Sequence, residues 1–215
     1  MPGYLISILI PTLLERKNEF QIMVHDLYRQ LEKHHLKDKV EIISICDDRS
    51  IKLSEKRNML QKLSSGKYFT HLDDDDELSC DYCQTIIDHI ERIPVFHVDE
   101  PDIIGYNQLA KVGGDRFIVK PHLDADLSLH PCGNQFNADM SIKAGVIPEF
   151  YRYPWQYCLW HERFKTVYRT DSDTNAREDV NWLKKVQLEH PKKISYVDFI
   201  GHTYNFDDPS KSTCQ

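Results

Sequence analysis

Four consecutive aspartates, Asp73 to Asp76, stand in the stretch YFTHLDDDDELS directly behind a run that reads as a β-strand. Adjacent like charges repel, so a fold that gathers them at one strand end needs positive charge there. A row of carboxylates in such a place suits a hard divalent cation, because Mg2+ and Mn2+ take oxygen ligands and complete their shells with water and phosphate oxygens. Side chains alternate along an extended segment, which sets Asp73 and Asp75 on one side and Asp74 and Asp76 on the other. The same run would equally serve as an acidic turn ahead of a helix starting near Leu78, whose positive N-terminus favours carboxylates. Further groups able to do chemistry are Thr12 after YLISILI, the Asp47/Asp48 pair in VEIISICDDRS, Lys56 and Arg57 in SEKRN, Glu178 and Asp179 in NAREDVNWL, and His202 in FIGHTYN. YRYPWQYCLWHERF adds six aromatic side chains in fourteen positions, and exposed rings there, Trp155 and Trp160 foremost, would stack on the apolar faces of sugars.

Positioning these groups requires strand ends. The apolar, β-branched run from about Leu5 to Ile10 reads as a buried strand, and Phe20, Met23, Val24, Leu27 and Leu31 mark one face of a helix from Asn18 to His34. A second buried strand ends at Asp47 and Asp48, a second helix follows and stops at Gly66, and KYFTHLDDDD is a third strand. The order β, α, β, α, β predicts a parallel sheet covered by helices, with the ligand crevice at the carboxyl ends of the strands. Thr12, Asp47/Asp48 and the aspartate run all fall at such ends. A helix from Tyr82 to Ile90 comes next, then strands in DIIGYNQLAKV and DRFIVKP, read as antiparallel, a helix near REDVNWLKKVQLEH, a final strand ISYVDFIGHTY and a polar tail, NFDDPSKSTCQ.

Composition bounds the classes. A chain of 215 residues with 40% hydrophobic side chains can bury one sizeable α/β core. Its net charge of -7 argues against a surface built to grip nucleic acid. No run approaches the ~20 apolar residues of a membrane span, and MPGYLISILIPT lacks signal-peptide features, so a cytoplasmic protein without stable membrane insertion is expected. The six cysteines are scattered, and CDYC at 80–83 has no second pair at zinc spacing, so free thiols are expected.

Taken together, ISILIPTLLER, EIISICDDRS, SEKRN and GKYFTHLDDDDEL resemble, in order and spacing, the nucleotide-binding half of GT-A fold glycosyltransferases, particularly the inverting family 2. The likeness is best over residues 5 to 80 and extends to glycosyltransferase domains of chloroviruses that act on capsid glycans. It implies an α/β fold of GT-A (Rossmann-like) type, a mixed, mainly parallel sheet with helices on both faces. One domain is expected over 1–205, with 1–100 as the nucleotide-sugar half, 101–205 as the acceptor half and 206–215 as a tail.

The resemblance also implies roles. Thr12 and Asp47 or Asp48 would contact the nucleobase; a carboxylate can accept from the imide N–H of uracil, which favours a UDP-sugar. Arg57, or Lys56 beside it, would reach the base or the diphosphate. Asp73 would hold ribose or the sugar and Asp75 the Mn2+ (or Mg2+) of a DxD motif, with Asp74 and Asp76 in reserve should the register shift by one and His202 as a further metal ligand. Asp179, or as second choice Glu178, would deprotonate the acceptor hydroxyl. The expected reaction is metal-dependent, inverting transfer of a hexose or deoxyhexose from UDP to a glycan or glycoprotein acceptor. Two other classes compete: a divalent-ion-dependent carbohydrate-binding module, and a glycoside hydrolase using two carboxylates. The basic, tryptophan-containing signature common downstream in the family is absent, and so is the glycine-rich phosphate loop of GT-A nucleotidyltransferases.

Overall fold

The computed structural model describes residues 3–93, 100–112, 114–125, 147–166, 168 and 178–205. In chain order its elements are β1 (Ile6–Leu13), a 3-10 turn (Leu14–Arg16), α1 (Lys17–Lys33), β2 (Val40–Asp47), α2 (Leu53–Leu63), β3 (Tyr68–His71), β4 (Glu77–Leu78), α3 (Tyr82–Arg92), β5 (Ile103–Val112), β6 (Asp115–Pro121), β7 (Glu149–Arg152), β8 (Leu159–His161), a second 3-10 turn (Glu162–Phe164), α4 (Glu178–Leu188) and β9 (Ile194–Asn205). The fold is the expected α/β arrangement of GT-A (Rossmann-like) type. The tail from 206 lies outside the described residues.

The strands form one mixed sheet in the order β2-β1-β3-β8-β5-β6-β7, with β9 beside β5 and β4. Its longest ladders, β1–β2 and β5–β9, are parallel, as are β1–β3 and β6–β7. The β5–β6 hairpin is antiparallel, as its sequence suggests. From β1 the chain steps outward through α1 to β2, then back across β1 through α2 to β3. Right-handed crossovers in opposite directions deposit their helices on opposite faces. Thus α1 lies with α3, where Gln30 Oε1 accepts the Cys83 N–H at 3.0 Å. On the other face α2 meets α4 through Arg57 and Glu178. The reversal of direction at β1 opens a crevice at the carboxyl ends of β1 and β3.

Contrary to the sequence reading, β1 does not stop at Ile10 but continues through Pro11 to Leu13. Leu9 O accepts the Leu72 N–H at 3.1 Å, and residues two apart share one strand edge. The N–H that Pro11 lacks would therefore face the β3 side, beyond the last β1–β3 pair, Leu9 with His71, where no ladder bond is lost. The extension carries Thr12 and the following turn out over the aspartate run.

The main core cluster runs from Ile8, Leu9 and Phe69 to Tyr106, Trp160 and Trp182, and a smaller one holds Ala110, Phe117 and Val119. Trp182 of α4 stacks on Tyr168 at 5.3 Å and 8°, and meets Trp160 edge-on at 5.3 Å. Cys46, Cys80, Cys83 and Cys158 are free thiols; Cys132 and Cys214 lie outside the described residues. Among the described residues, no helix is long and apolar enough to cross a membrane.

Candidate functional site

Thr12, at the end of β1, donates its Oγ1 hydrogen to Asp74 Oδ2 at 2.8 Å. One turn on, Arg16 spans two aspartates, with Nη1 2.9 Å from Asp74 Oδ1 and Nη2 2.6 Å from Asp75 Oδ2. This cation is the positive charge that the acidic run demands. Burial pushes the Asp74 carboxyl up to about 6, against the Thr12 hydrogen bond and Arg16. Burial likewise lifts Asp75 to about 6, helped by the charges of Asp73 and Asp76 and opposed by Arg16. Asp76 Oδ2 accepts the Asp73 N–H at 2.8 Å and closes the four aspartates into a tight turn.

Across the crevice, Asp47 ends β2. Its Oδ1 accepts from Lys56 Nζ at 2.6 Å and its Oδ2 from the Ile51 N–H at 2.7 Å. Burial works against the Asp47 carboxylate, but these bonds outweigh it and hold the group below the usual carboxylate range. Lys56 also donates to Thr12 O at 3.0 Å, so it ties the ends of β1 and β2 together. Asp47 is thus engaged in holding its loop, whereas Asp48 is exposed at the same strand end and is bonded to Ser50.

Arg57 is 1% exposed. Its Nη2 donates to Asp73 Oδ1 at 2.9 Å and its Nη1 to Glu178 Oε1 at 2.7 Å. Despite burial, the charges of Asp73 and Glu178 raise its pKa further, so it stays a cation. One guanidinium thereby joins α2, the acidic turn and the start of α4, over 121 residues of chain. Burial lifts Glu178 to about 7, more than Arg57 lowers it, and Asp179 adds to the rise. Asp179 is half-buried beside it, and its Oδ1 accepts the Val180 N–H at 2.7 Å, a local bond at the helix start.

His202 lies inside β9. Its Nε2 is 2.6 Å from Asp76 Oδ1, its Nδ1 is 2.8 Å from Gln108 Nε2, and its ring stacks on Tyr157 at 5.1 Å and 15°. The pairing His202 with Asp75, expected from the sequence, is therefore replaced by His202 with Asp76. The turn bond from Asp76 to the Asp73 N–H rotates the run, and Arg16 draws Asp75 to the β1 side. Among the described residues, no three His, Cys, Asp or Glu side chains gather as a metal-holding group. Asp76 and His202 nevertheless fit a divalent ion: Nε2 is buried and makes no hydrogen bond, and Mg2+ and its like usually take few protein ligands beside water and phosphate oxygens.

Trp155 and Trp160 do not present rings to an acceptor. Trp160 is fully buried between Phe164 and Trp182, its Nε1 donating to Trp155 O at 3.1 Å. Trp155 is 6% exposed and has the Arg152 guanidinium 3.5 Å from its ring centroid. Trp160 is drawn inward because β8 pairs with β3 and β5 at the centre of the sheet, while Trp155, ahead of β8, is covered by Arg152. Sequence reasoning passed over Arg16, Gln108 and Tyr157. Arg16 had a legible signal, a cation one turn past a strand end that faces an acidic run; so did Gln108, an amide inside an apolar strand.

No protein-family model matches the chain, and no curated protein does. Solved structures do. That of S. aureus TarS 1–349 in complex with UDP-GlcNAc superposes with a TM-score of 0.57 at 12% identity, covering 96% of this chain and 61% of that one. The complex of TarS 1–349 with UDP gives 0.55 at 12% identity, covering 93% and 60%. The chain thus spans about three-fifths of the TarS 1–349 structures, and at this identity the likeness is one of fold.

Proposed function

We propose that the chain is a glycosyltransferase that moves a hexose or deoxyhexose from UDP to a hydroxyl of a glycan or glycoprotein acceptor, with inversion and with Mn2+ or Mg2+. The observation that carries this reading is the pair of bonded networks at the carboxyl ends of β1, β2 and β3, one of Thr12, Arg16, Asp47, Lys56 and Asp74 and one of Arg57, Asp73 and Glu178, which meet where Asp73 and Asp74 adjoin in the acidic turn. A fold shared with a protein crystallised with UDP-GlcNAc and UDP supports it.

Asp48, the exposed carboxylate of its pair, accepts the imide N–H of uracil, while Asp47 and Lys56 shape the loop beneath the base. Asp73, 37% exposed, faces ribose and sugar hydroxyls, whereas Asp74, expected beside it, is buried against Thr12 and Arg16 and braces the turn. Asp76 and His202 would hold the divalent ion, which when bound supplies Lewis-acid stabilisation to the departing diphosphate. Asp179 takes the acceptor proton as the hydroxyl attacks the anomeric carbon from the face opposite the diphosphate. Glu178 is the less suitable base, because its carboxylate is already committed to Arg57 and buried; its part is to fix the helix that carries Asp179.

A panel of UDP- and GDP-sugars, with and without Mn2+, tests the reading by release of nucleoside diphosphate. Mn2+-dependent turnover of a UDP-sugar, lost in Asp76→Asn, is the expected result. Sugar binding without any nucleotide affinity would overturn it in favour of a binding module.

A further inference from the structure

Gln108 is 3% exposed in the middle of β5, a costly place for an amide that lacks partners. The β5–β9 register sets it directly beside His202. Its Nε2 lies 2.8 Å from His202 Nδ1, and Tyr157 covers one face of the imidazole. The ring is therefore held at one nitrogen and one face. At its other nitrogen, Asp76 Oδ1 lies only 2.6 Å away, yet Nε2 makes no hydrogen bond, so the carboxylate stands off the axis of a ring N–H. Gln108 Oε1 is also buried without a hydrogen-bond partner.

A half-turn of the amide exchanges its nitrogen and oxygen in place. Oε1 then accepts from Nδ1–H, the ring proton is fixed at Nδ1, and the Nε2 lone pair is left on the Asp76 side. His202 Nε2 and Gln108 Oε1 then each have a use, and the amide nitrogen takes the place that Oε1 held. From this geometry we infer that Gln108 is a positioning residue that sets the tautomer and orientation of His202, so that Nε2 serves a divalent cation together with Asp76. The inference rests on the metal-dependent reading above. Outer-shell partners of this kind orient a ligating imidazole and raise its basicity.

Calorimetry of Mn2+ binding to UDP-saturated protein, and of UDP binding without Mn2+, is the test. Gln108→Leu is expected to weaken Mn2+ binding about 10- to 100-fold while leaving Mn2+-free UDP affinity unchanged. Gln108→Glu, which also accepts from Nδ1–H, is expected to bind Mn2+ at least as tightly as the wild type. In a His202→Ala background, Gln108→Leu is expected to add no further loss, which separates action through His202 from a general disturbance of β5. Unchanged Mn2+ affinity in Gln108→Leu, or the same loss on top of His202→Ala, would overturn the inference. Should the leucine variant fail to fold, Gln108→Glu carries the test, and weaker Mn2+ binding in it is the overturning result. If His202→Ala itself keeps full Mn2+ affinity, the metal assignment falls and the inference with it; intact dependence on His202 with an indifferent Gln108 removes the positioning role alone.

Discussion

Two arginines organise the acidic run, and each separates one chemical task from another. Arg16 neutralises Asp74 and Asp75 and leaves Asp76 to His202. Arg16→Ala uncovers two carboxylates, so Mn2+ binding without nucleotide should tighten, while UDP binding without Mn2+ should weaken as the diphosphate meets a more negative wall. Titrations of both ligands check this; unchanged values for both would show that Arg16 exerts no field on the site. Asp179 has a different test, because its local bond to Val180 makes a purely structural role the competing account. Asp179→Asn keeps that bond, so melting temperature and UDP affinity should hold while sugar transfer falls by about 10²-fold or more. Near-wild-type transfer would move the base to Glu178.

At the scale of elements, the site depends on how closely β3 is laid against β1. Gly66, in the turn from α2 into β3, donates its N–H to Ser7 Oγ at 2.8 Å. A Cβ at this position would stand 2.5 Å from Ser7 Oγ and 2.6 Å from Ser7 N, and backbone atoms of β1 cannot swing aside as a flexible side chain can. Gly66→Ala should therefore cost about 1–3 kcal/mol, the usual range for overpacking, seen as a lower denaturation midpoint. Because the register of β3 also sets Asp73 to Asp76 against Thr12, UDP affinity should fall with it. A variant as stable as the wild type would show that β1 and β3 tolerate a wider spacing.

Over the whole molecule, Arg57 ties the first three strands to α4. Removing one partner of a buried ion pair leaves the others uncompensated, so Arg57→Leu should destabilise the protein by roughly 3–5 kcal/mol. Arg57→Lys should recover only part, since one ammonium cannot copy the planar two-sided donor set. The same buried carboxyls predict a pH effect on stability. Asp74, Asp75 and Glu178 have pKa values raised to about 6, about 6 and about 7 by burial. A carboxyl whose folded pKa exceeds its unfolded value of about 4 binds protons more tightly when folded, so its contribution to stability is full below pH ~4 and is lost as pH rises through the folded value. The melting temperature of the ligand-free protein should therefore rise between pH 8 and 5. A melting temperature that falls throughout that window would contradict the placement of these groups in the interior.

Local patterning was enough to read the β-α-β-α-β opening, the helical face of α1, the β5–β6 hairpin and the strand ends that carry Thr12, Asp47 and the aspartates. These follow from periodicities of two and 3.6 residues, which depend only on near neighbours along the chain. Tertiary structure alone decided which aspartate meets which cation. A one-residue change of register in DDDD cannot be seen in a run of identical side chains, and it was set by a turn bond, by Arg16 from the 3-10 turn after β1 and by His202 from β9, over 120 residues away in the chain. The aromatic segment shows the same limit: composition offered six rings for a sugar, but the pairing of β8 between β3 and β5 turned Trp160 into core, because burial is a property of neighbours that the local sequence does not contain.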